Sequence, residues 1–432
     1  DKSHYQQFTP PFDIPDSWEW VRLGDVCDVA RGGSPRPIKS YLTYRVDGIN
    51  WIKIGDTEKD GKFINSTKER IIPEGALKSR LVHKGDFLLT NSMSFGRPYI
   101  LNIDGCIHDG WLVISPIGNV FDKDFLYLLL SSEYAYYQFS EKASGSAVSN
   151  LNSDKVAESI FPLPPLETQR IIVRECEKLT SFAQTIDNEK KDLEITIALT
   201  KSKILDLAMQ GKLVPQDPAD EPAADMLRRV NPKAKIITDN PQCRNLPLGW
   251  TLCQLRDLCS FLSRGKSPKY SETPNQYPVF AQKCNLKDGD ISLTQARFLD
   301  ENTISKWPEK YRLRDGDVLV NSTGTGTVGR TRMFKSEYLG NYPFVVPDSH
   351  VSVVRSFDEI DSTYIFYCLY CQDGQQYFAE NLAGSTNQKE LYIDVIGDKS
   401  IMLPPINEQK RIVAKIEEQY SVLYEIEASL RS

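Results

Sequence analysis

The 432-residue sequence lacks several features that mark whole classes of protein. It has no run of 18 apolar residues, the length a membrane-spanning helix requires. Its first residues, Asp1-Lys2-Ser3-His4, are unlike a secretion signal. Its nine cysteines have no regular spacing, which is typical of reduced thiols in a cytosol. These absences predict a soluble, cytoplasmic protein that does not contact a membrane.

Groups that carry out catalysis or hold metals are equally scarce. The four histidines are His4, His83, His108 and His350, and they show no metal-ligand spacing. Gly265-Lys266-Ser267 resembles the end of a phosphate-binding loop, but Ser260 stands where the motif requires its first glycine. Cys368 and Cys371 form a lone pair on a predicted helix, which favours a structural role. The sequence therefore predicts no catalytic residue, no metal site and no cofactor bound by this chain.

An excess of positive charge is also missing. The chain has 52 Lys and Arg residues against 58 Asp and Glu, a net charge of −6. Proteins that bind nucleic acid by themselves usually carry a basic surface, because phosphate neutralisation supplies most of their affinity. The composition therefore argues against strong DNA binding by this chain alone.

The most regular feature present is a heptad repeat between residues 166 and 210. Apolar side chains recur at a and d spacing, with Lys190 and Thr200 as polar exceptions. The seam consists of Ile172, Cys176, Leu179, Ala183, Ile186, Leu193, Ile197, Ile204 and Leu207. Pro164-Pro165 precedes the repeat and Gly211 follows it, so a helix is predicted between these breakers. At 1.5 Å per residue it would span roughly 67 Å, more than a compact domain usually needs.

The phrase that opens this helix returns 240 residues later. Residues 163–170 read LPPLETQR, and residues 403–410 read LPPINEQK. A second seam follows the second phrase and consists of Ile412, Ile416, Leu423, Ile426 and Leu430. Two seams behind one phrase predict an intramolecular coiled coil of helices 166–210 and 406–432. The alternative is that the first helix is a long surface helix packed on its own domain.

The repetition extends to the globular parts. At an offset of 232 residues, Trp18, Leu23, Asp25 and Cys27 all meet identical residues. Further matched pairs are Arg31–Pro35 with Arg264–Pro268, Gly85–Leu89 with Gly316–Val320, Asn91-Ser92 with Asn321-Ser322, and Ala143–Ser146 with Leu382–Ser385. This pattern predicts two copies of one domain, each followed by its helix. The predicted segments are 1–16 (N-terminal linker), 17–165 (first domain), 166–210 (first helix), 211–248 (linker), 249–405 (second domain) and 406–432 (second helix).

Within each copy the pattern is mixed. Short β-branched and aromatic runs, such as 51–54, 86–89 and 111–114, are separated by Gly, Asn and Asp and predict strands. The apolar runs at 125–130 and 364–370 exceed strand length and predict buried helices. Because strands and helices do not alternate regularly, an α+β fold is favoured over a doubly wound sheet.

The segment between the copies is rich in proline. Residues 211–248 contain six prolines, which predicts a linker. One short helix is predicted near Ala223–Val230. This linker must carry the chain from the end of the first long helix to the second copy.

The repeated phrases resemble the specificity subunits of Type I restriction–modification systems. They are the Trp-containing opening with Leu-x-Asp, the Gly-Asp strand, the Gly-Ser loop, the Leu-Pro-Pro helix start, and the linker phrase at 207–217. The resemblance covers nearly the whole chain. It implies two target-recognition domains separated by two long antiparallel helices with a pseudo-two-fold internal repeat. One departure is that about 45 residues follow the first Pro-Pro, whereas 27 follow the second.

The resemblance also implies a function and a set of partners. Each recognition domain is expected to read one half of an asymmetric, bipartite site in double-stranded DNA. Two modification subunits, which bind S-adenosylmethionine and methylate adenine at N6, are expected to dock on the chain. Restriction subunits that use ATP and Mg²⁺ are expected to join them, translocate DNA and cleave it. The chain itself is expected to be a non-catalytic subunit.

Polar and basic side chains occur in Gly/Ser loops at matching points of both copies. A DNA reader needs such groups at base edges and at phosphates. The first-copy candidates are Arg31, Ser34, Arg36, Lys53, Asn91, Ser92, Arg97, Lys142 and Ser144. The second-copy candidates are Arg264, Lys266, Lys269, Asn321, Ser322, Arg330, Arg332, Asn387, Gln388 and Lys389. Any single one is equally well explained as part of a solvated turn, but the duplication of the loops favours binding.

The charge of each copy favours a subunit over an independent DNA-binding protein. Residues 17–165 hold 17 Lys and Arg against 18 Asp and Glu, and residues 249–405 hold 17 against 19. Partners would then supply most of the basic surface. Two other classes stay open: a coiled-coil scaffold or adaptor that does not read DNA, and a nuclease or methyltransferase with unfamiliar motifs. The missing cofactor loop and metal ligands disfavour the last class.

Overall fold

The computed structural model describes residues 10–58, 61–91, 96–143, 151–287, 289–384 and 389–431. The chain forms two compact units, here called unit 1 (Asp1–Asp187) and unit 2 (Asn188–Ser432). Both contain helices and sheets, which confirms the predicted α+β class. Within the described ranges, no helix is both long enough and apolar enough to span a membrane.

Unit 1 is built mainly from short strands. They are β1 (Glu19–Arg22), β2 (Cys27–Arg31), β3 (Leu42–Thr43), β4 (Ile49–Ile52), β5 (Phe63–Ile64), β6 (Glu69–Ile71), β7 (Arg80–Val82), β8 (Phe87–Thr90), β9 (Pro98–Leu101), β10 (Gly105–Ile107), β11 (Trp111–Pro116) and β12 (Ile160–Leu163). The helices are α1 (Leu23–Val26), α2 (Pro73–Ala76), α3 (Lys123–Ser131), α4 (Glu133–Ala143) and α5 (Ser153–Ala157), and α6 (Leu166–Met209) begins in unit 1 and ends in unit 2. Short 3-10 turns occupy Ile38–Ser40 and Ile54–Asp56.

Two five-stranded sheets carry unit 1. Their strand orders are β2-β11-β8-β9-β5 and β3-β6-β4-β10-β7, and β1 pairs with β12. Strand β8 is buried along its whole length, and its side chains alternate between two cores. Phe87 and Leu89 pack in one core with Leu126 of α3, whereas Leu88 packs in the other with Trp111. This division follows because successive side chains of a strand point to opposite faces of the sheet.

Unit 2 repeats this plan with different lengths. Its strands are β13 (Ile236–Ile237), β14 (Thr251–Gln254), β15 (Cys259–Arg264), β16 (Pro278–Phe280), β17 (Arg297–Phe298), β18 (Val318–Asn321), β19 (Thr331–Met333), β20 (Val346–Pro347), β21 (Val351–Ser356) and β22 (Ser400–Leu403). Its helices are α7 (Ala223–Val230), α8 (Ser362–Tyr370), α9 (Gln372–Glu380), α10 (Ile393–Asp398) and α11 (Ile406–Arg431). Its 3-10 turns occupy Pro241–Asn245, Leu255–Leu258, Gln282–Cys284, Glu301–Lys306, Glu309–Tyr311 and Ser336–Leu339.

The core of unit 2 shows the same alternation as that of unit 1. The strand orders are β15-β21-β18-β19, β17-β16-β20 and β13-β14-β22. In β18, Val318 and Val320 pack with Tyr364 of α8, whereas Leu319 packs in a second core with Phe334. The predicted internal repeat and the predicted helices at 125–130 and 364–370, now α3 and α8, are thereby confirmed.

Cys368 and Cys371 lie in the larger core of unit 2. Both side chains are buried, and burial raises the pKa of both thiols. The Cys371 thiol donates a hydrogen bond to the main-chain oxygen of Cys368. These contacts support the structural role that the sequence predicts for the pair.

The proline-rich segment 211–248 is folded onto unit 2. The predicted helix in it is confirmed as α7, at Ala223–Val230. Ala223, Met226 and Leu227 are fully buried in the larger core, and β13 adds to β14 at the edge of a sheet. The segment is therefore an integral part of unit 2, in addition to connecting the two copies.

The two predicted long helices are present with nearly the predicted bounds. In unit 2 the last part of α6 packs against α11 in antiparallel fashion. Lys201 Nζ lies 2.7 Å from Glu427 Oε2 near the end of α11. Gln216, just after α6, bonds Glu408 at the start of α11. Ile204, Ile412 and Ile416 are buried together in the larger core of unit 2. Ile197 is also buried, and Leu207, Leu423 and Leu430 are half-buried.

The predicted seam is not buried along its whole length. Leu179, Ala183, Ile186 and Leu193 are exposed, and so is Ile426. Their predicted place in a helix–helix interface therefore stays a prediction. Arg431, the last described residue of α11, lies four residues after Glu427, which contacts Lys201. At the opposite end of the seam, Ile172 and Cys176 are half-buried.

Candidate nucleic-acid interface

A tight turn after β2 forms the centre of the candidate site in unit 1. Gly32 donates its N–H to the main-chain oxygen of Trp111 at 2.9 Å. A Cβ at Gly32 would collide with the main-chain oxygen of His108, so the turn requires glycine. Arg31, immediately before it, donates from Nε to the main-chain oxygen of Asp109 at 3.0 Å. The turn and the start of β11 are thereby fixed to each other.

Several predicted polar residues of this turn contact Asp109. Its carboxylate accepts a hydrogen bond from Ser34 Oγ at 2.7 Å and lies 3.4 Å from Arg36 Nη2. The bond from Ser34 is the main cause that lowers the pKa of Asp109. The Arg36 side chain is 83% exposed, so it is available to a ligand. Asn91 is only 1% exposed and donates from Nδ2 to the main-chain oxygen of Asp109 at 2.8 Å. Asn91 therefore supports the turn and does not reach solvent.

Unit 2 repeats the framework of this arrangement with different residues at several positions. Arg264 Nε donates to the main-chain oxygen of Ser349, as Arg31 does to Asp109. A Cβ at Gly265 would collide with the main-chain oxygen of Asp348. Ser267 Oγ donates to Ser349 Oγ at 3.3 Å. Ser349 therefore stands where unit 1 has Asp109, so the two turns share a framework but present different chemistry.

The structure corrects the predicted register between the copies. Asn91 N donates to Gly110 O at 3.1 Å, and Ser322 N donates to His350 O at 2.8 Å. The main-chain oxygens of Asn91 and Ser322 then accept from Leu151 and Leu391, respectively. Asn91 therefore corresponds to Ser322, and Thr90 corresponds to Asn321. The predicted pairing of Asn91 with Asn321 is wrong by one residue, because strand pairing and not the Asn-Ser letters fixes the register.

Two candidate DNA-binding residues of the second copy are buried and stabilise the loop between β18 and β19. Asn321 and Ser322 are both 0% exposed. Asn321 Nδ2 donates to Gln282 O at 3.3 Å, and Ser322 Oγ lies 2.6 Å from Ser352 Oγ. Their bonds hold the base of the β18–β19 loop, so in this conformation neither side chain is accessible to DNA.

Several predicted cations are already engaged within the chain. Arg264 pairs with Glu390, Lys269 Nζ lies 2.6 Å from Asp300 Oδ2, and Lys53 Nζ lies 2.7 Å from Glu69 Oε1. Ion pairs near the surface contribute little to stability, and a phosphate can replace the carboxylate. These residues therefore stay candidates for DNA binding, but they are less available to DNA than Arg36.

The other described candidates lie partly or fully at the surface. Lys266 is exposed, and its Nζ lies 4.1 Å from the centroid of the Tyr311 ring. Arg97, Arg330 and Arg332 are half-buried, as is Lys142, whose pKa burial lowers. Lys389 is exposed. Ser92, Ser144, Asn387 and Gln388 lie outside the described residues, so their predicted role stays a prediction.

The structure adds two cations that the repeat search missed. Arg80 Nε donates to the main-chain oxygen of Arg31 at 2.6 Å, and Lys78 Nζ donates to Tyr41 Oη at 2.6 Å. Both side chains are exposed beside the glycine turn. Sequence repetition does not reveal Arg80, because Tyr311 occupies its position in the other copy when the Gly-Asp phrases are aligned. A search for duplicated residues has no signal for them.

These features define a duplicated α+β protein in which each copy presents an arginine–glycine turn and continues into a long helix. The chain belongs to the family described as Type I restriction modification DNA specificity domain. The family model matches residues 15–197 and residues 247–431. The resemblance identified in the sequence is thereby confirmed.

Individual relatives agree with this membership. The chain is 23% identical to the Type I restriction enzyme EcoEI specificity subunit of Escherichia coli, over 98% of this chain and 81% of that protein. It is 22% identical to the MjaVIII specificity subunit of Methanocaldococcus jannaschii, over 93% and 86%. The crystal structure of the HsdS subunit from Thermoanaerobacter tengcongensis has the same fold, with a TM-score of 0.61, 22% identity, and coverage of 97% of this chain and 95% of that one.

Proposed function

We propose that this chain confers DNA sequence specificity on a Type I restriction–modification complex. The recognition domains, at 17–165 and 249–405, would each read one half of an asymmetric bipartite site. The duplicated arginine–glycine turn carries this proposal, because it presents Asp109 in one copy and Ser349 in the other on an otherwise repeated framework. Two readers with one framework and different contact groups suit a site whose halves differ in sequence.

Local charge supports DNA binding at the turn of unit 1. Four cations lie at or beside this turn: Arg31, Arg36, Lys78 and Arg80. Arg36 pairs with the Asp109 carboxylate, whereas Arg31 and Arg80 bond main-chain oxygens. The domain as a whole is nearly neutral, with 17 basic against 18 acidic residues. This turn is thus a local basic patch, and the rest of the phosphate neutralisation would come from partner subunits.

The partners follow from the class of the relatives, which are specificity subunits of Type I restriction enzymes. A specificity subunit has a non-catalytic role. Two modification subunits that bind S-adenosylmethionine would methylate adenine at N6, and restriction subunits using ATP and Mg²⁺ would translocate and cleave the DNA.

The helices at 166–210 and 406–432 would set the distance between half-sites. The exposed residues of the α6 seam, among them Leu179 and Ile186, leave an apolar face on which a modification subunit could dock.

The test is to co-express the chain with a methyltransferase subunit of this class and to map methylated adenines by sequencing. We expect a bipartite motif with two different half-sites and an unread spacer. A palindromic motif, or methylation independent of the chain, would contradict the proposal. Footprinting of the same complex separates the adaptor alternative, since an adaptor without DNA readout would leave no protection at the motif.

A further inference from the structure

A cleft of about 270 Å³ opens beside the loop that joins β18 to β19. Lys283, Lys287 and Arg330 line it, and its described lining residues include no carboxylate. Lys283 and Lys287 are exposed, and both come from a segment with no counterpart among the sequence candidates. The part of the cleft that the structure describes thus presents three cations and no acid, in a copy whose overall charge is slightly negative.

The loop on one side of the cleft is shaped by glycine. Residues 324–329 read Gly-Thr-Gly-Thr-Val-Gly, and Gly324, Gly326 and Gly329 have φ values of +108°, +73° and +82°. L-residues with side chains rarely adopt this region, so the loop depends on glycine at these points. The N–H groups of Thr327 and Val328 both donate to Gly324 O, at 3.0 and 3.1 Å, and fold the loop back on itself.

This folding leaves main-chain donors unused. In the part of unit 2 that the structure describes, the N–H groups of Thr325 and Gly326 have no carbonyl acceptor. Successive N–H groups in a turn with positive φ angles form concave sites that favour anions. Thr325 lines the cleft, so one of these main-chain groups lies beside the lysine and arginine side chains.

The cations of the cleft differ from three other cations of this copy in having no acidic partner in the part of the chain that the structure describes. Arg264, Lys269 and Arg355 pair with Glu390, Asp300 and Asp317, respectively. Among the described residues, Lys283, Lys287 and Arg330 have no carboxylate within 4.0 Å. Arg330 Nη1 donates to Asn285 O at 2.6 Å, which holds the guanidinium at the cleft. Three like charges with no counter-ion among the described residues favour the binding of an anion.

We propose that this cleft binds a phosphate group of the DNA backbone, an inference that rests on the proposed function. The cleft offers lysine, arginine and main-chain N–H donors, which suit a phosphate, whereas reading a base edge also needs matched acceptors and apolar contacts. Leu286 is its only apolar lining side chain within the described residues, so it lacks a wall for the base of a free nucleotide. The contact would position the second half-site without reading sequence.

The inference is specific to unit 2. In unit 1, Gly96 corresponds to Gly329, with a φ of +79°, and Arg97 corresponds to Arg330. The loop between Asn91 and Gly96 is two residues shorter than that between Ser322 and Gly329, and residues 92–95 lie outside the described ranges. Because the loop is shorter in unit 1, we expect the contact on the second half-site only.

The test uses the full chain in complex with its methyltransferase partner and measures duplex binding between 50 and 200 mM KCl. The variant is Lys283→Gln/Lys287→Gln, and the matched control is Lys233→Gln/Lys235→Gln, which changes two exposed lysines of the same unit outside the cleft. Loss of one phosphate contact should lower the slope of log K against log salt by about 0.9. Affinity should fall about tenfold, equally for the cognate duplex and for one with an altered second half-site. The methylated motif should not change.

The outcomes separate the inference from the proposed function. If wild-type complex shows no preference for a cognate duplex, the proposed function itself fails. If wild type binds specifically but the cleft variant keeps its salt slope and affinity, the inference is overturned. A relaxed methylation motif in the variant would also overturn it, because the cleft would then read bases. Binding of ATP, measured by calorimetry with wild type and lost in the variant, together with an unchanged DNA slope, would assign the cleft to a nucleotide instead.

Discussion

Gln169 and Gln409 make the same hydrogen bonds in the two units. Each is fully buried at the start of its long helix. Gln169 Nε2 donates to Pro164 O at 2.9 Å, and its Oε1 accepts from Asp122 N at 2.8 Å. Gln409 bonds Pro404 O and Asp361 N in the same way, at 2.8 and 2.9 Å. Because Asp122 and Asp361 cap α3 and α8, each glutamine ties its long helix to a helix of its own recognition domain.

We expect Gln169→Leu to destabilise the chain by about 1–3 kcal/mol, because it leaves the buried Asp122 N–H without an acceptor. Gln409→Leu should act alike through Asp361. Urea unfolding measures the effect, with Gln184→Leu on the exposed face of α6 as the control. Equal stability of Gln169→Leu and the control would show that the buried amide does not fix the helix to its domain.

Arg36→Ala should weaken binding at one half-site without changing the fold. The side chain is 83% exposed, so its removal should alter the free energy of unfolding by less than about 0.5 kcal/mol. If Arg36 contacts a base edge, the loss in binding should be about 1–3 kcal/mol and should relax one base position. Methylation mapping of the complex shows whether a base position is relaxed, and duplex binding gives the loss in binding free energy. Lys266→Ala is the companion variant and should affect the other half-site. A motif and affinity identical to wild type in both would exclude these residues from the interface.

Glu408 should make unit 2 less stable as the pH rises. Its side chain is fully buried, and burial raises its pKa above the usual 4.5, although Trp250 Nε1 and Gln216 Nε2 donate to its Oε1. The folded state then holds a proton that the unfolded state has lost, so the contribution is full below pH 4.5 and is lost as the pH rises through the raised pKa. Glu408→Gln should remove this dependence in urea unfolding at pH 5 and pH 7.5. Glu425→Gln, at an exposed site, serves as the control. A wild-type pH dependence that survives in Glu408→Gln would assign it to another group.

The length of α6 should set the unread spacer of the DNA site. Deletion of the heptad Phe182–Asn188 removes only exposed residues and leaves the buried Ile197 contact intact. It shortens the helix by about 10.5 Å, which corresponds to roughly three base pairs. We expect the bases read in each half to be unchanged and the spacer to be shorter, or activity to be lost if the accompanying rotation about the duplex is not absorbed. Methylation mapping decides this. Full activity at the original spacing would mean that the helix does not measure the distance.

Features that depend on local order could be predicted from the sequence. The heptad repeat and its breakers gave the first long helix as 166–210, against Leu166–Met209 in the structure. The helix at Ala223–Val230 was predicted within a proline-rich segment and is present with those bounds. The duplication was visible because framework residues, such as Gln169 and Gln409, are fixed by the same bonds in both copies.

What the sequence could not decide depends on which distant residues meet. The repeated Asn-Ser sequence suggested one alignment of the two copies. Strand pairing shifts that alignment by one residue, so that Asn91 corresponds to Ser322. Leu179 and Leu193 continue an apolar repeat, yet they are exposed.

The tertiary structure also decided which cations already have a carboxylate partner. Lys269 has a carboxylate partner 31 residues away, whereas Lys283 has none among the described residues. The formation of a helix depends on contacts between residues three and four apart, which the sequence displays directly. Sheet register, seam burial and the pairing of cations depend on contacts across tens or hundreds of residues, so only the tertiary structure determined them.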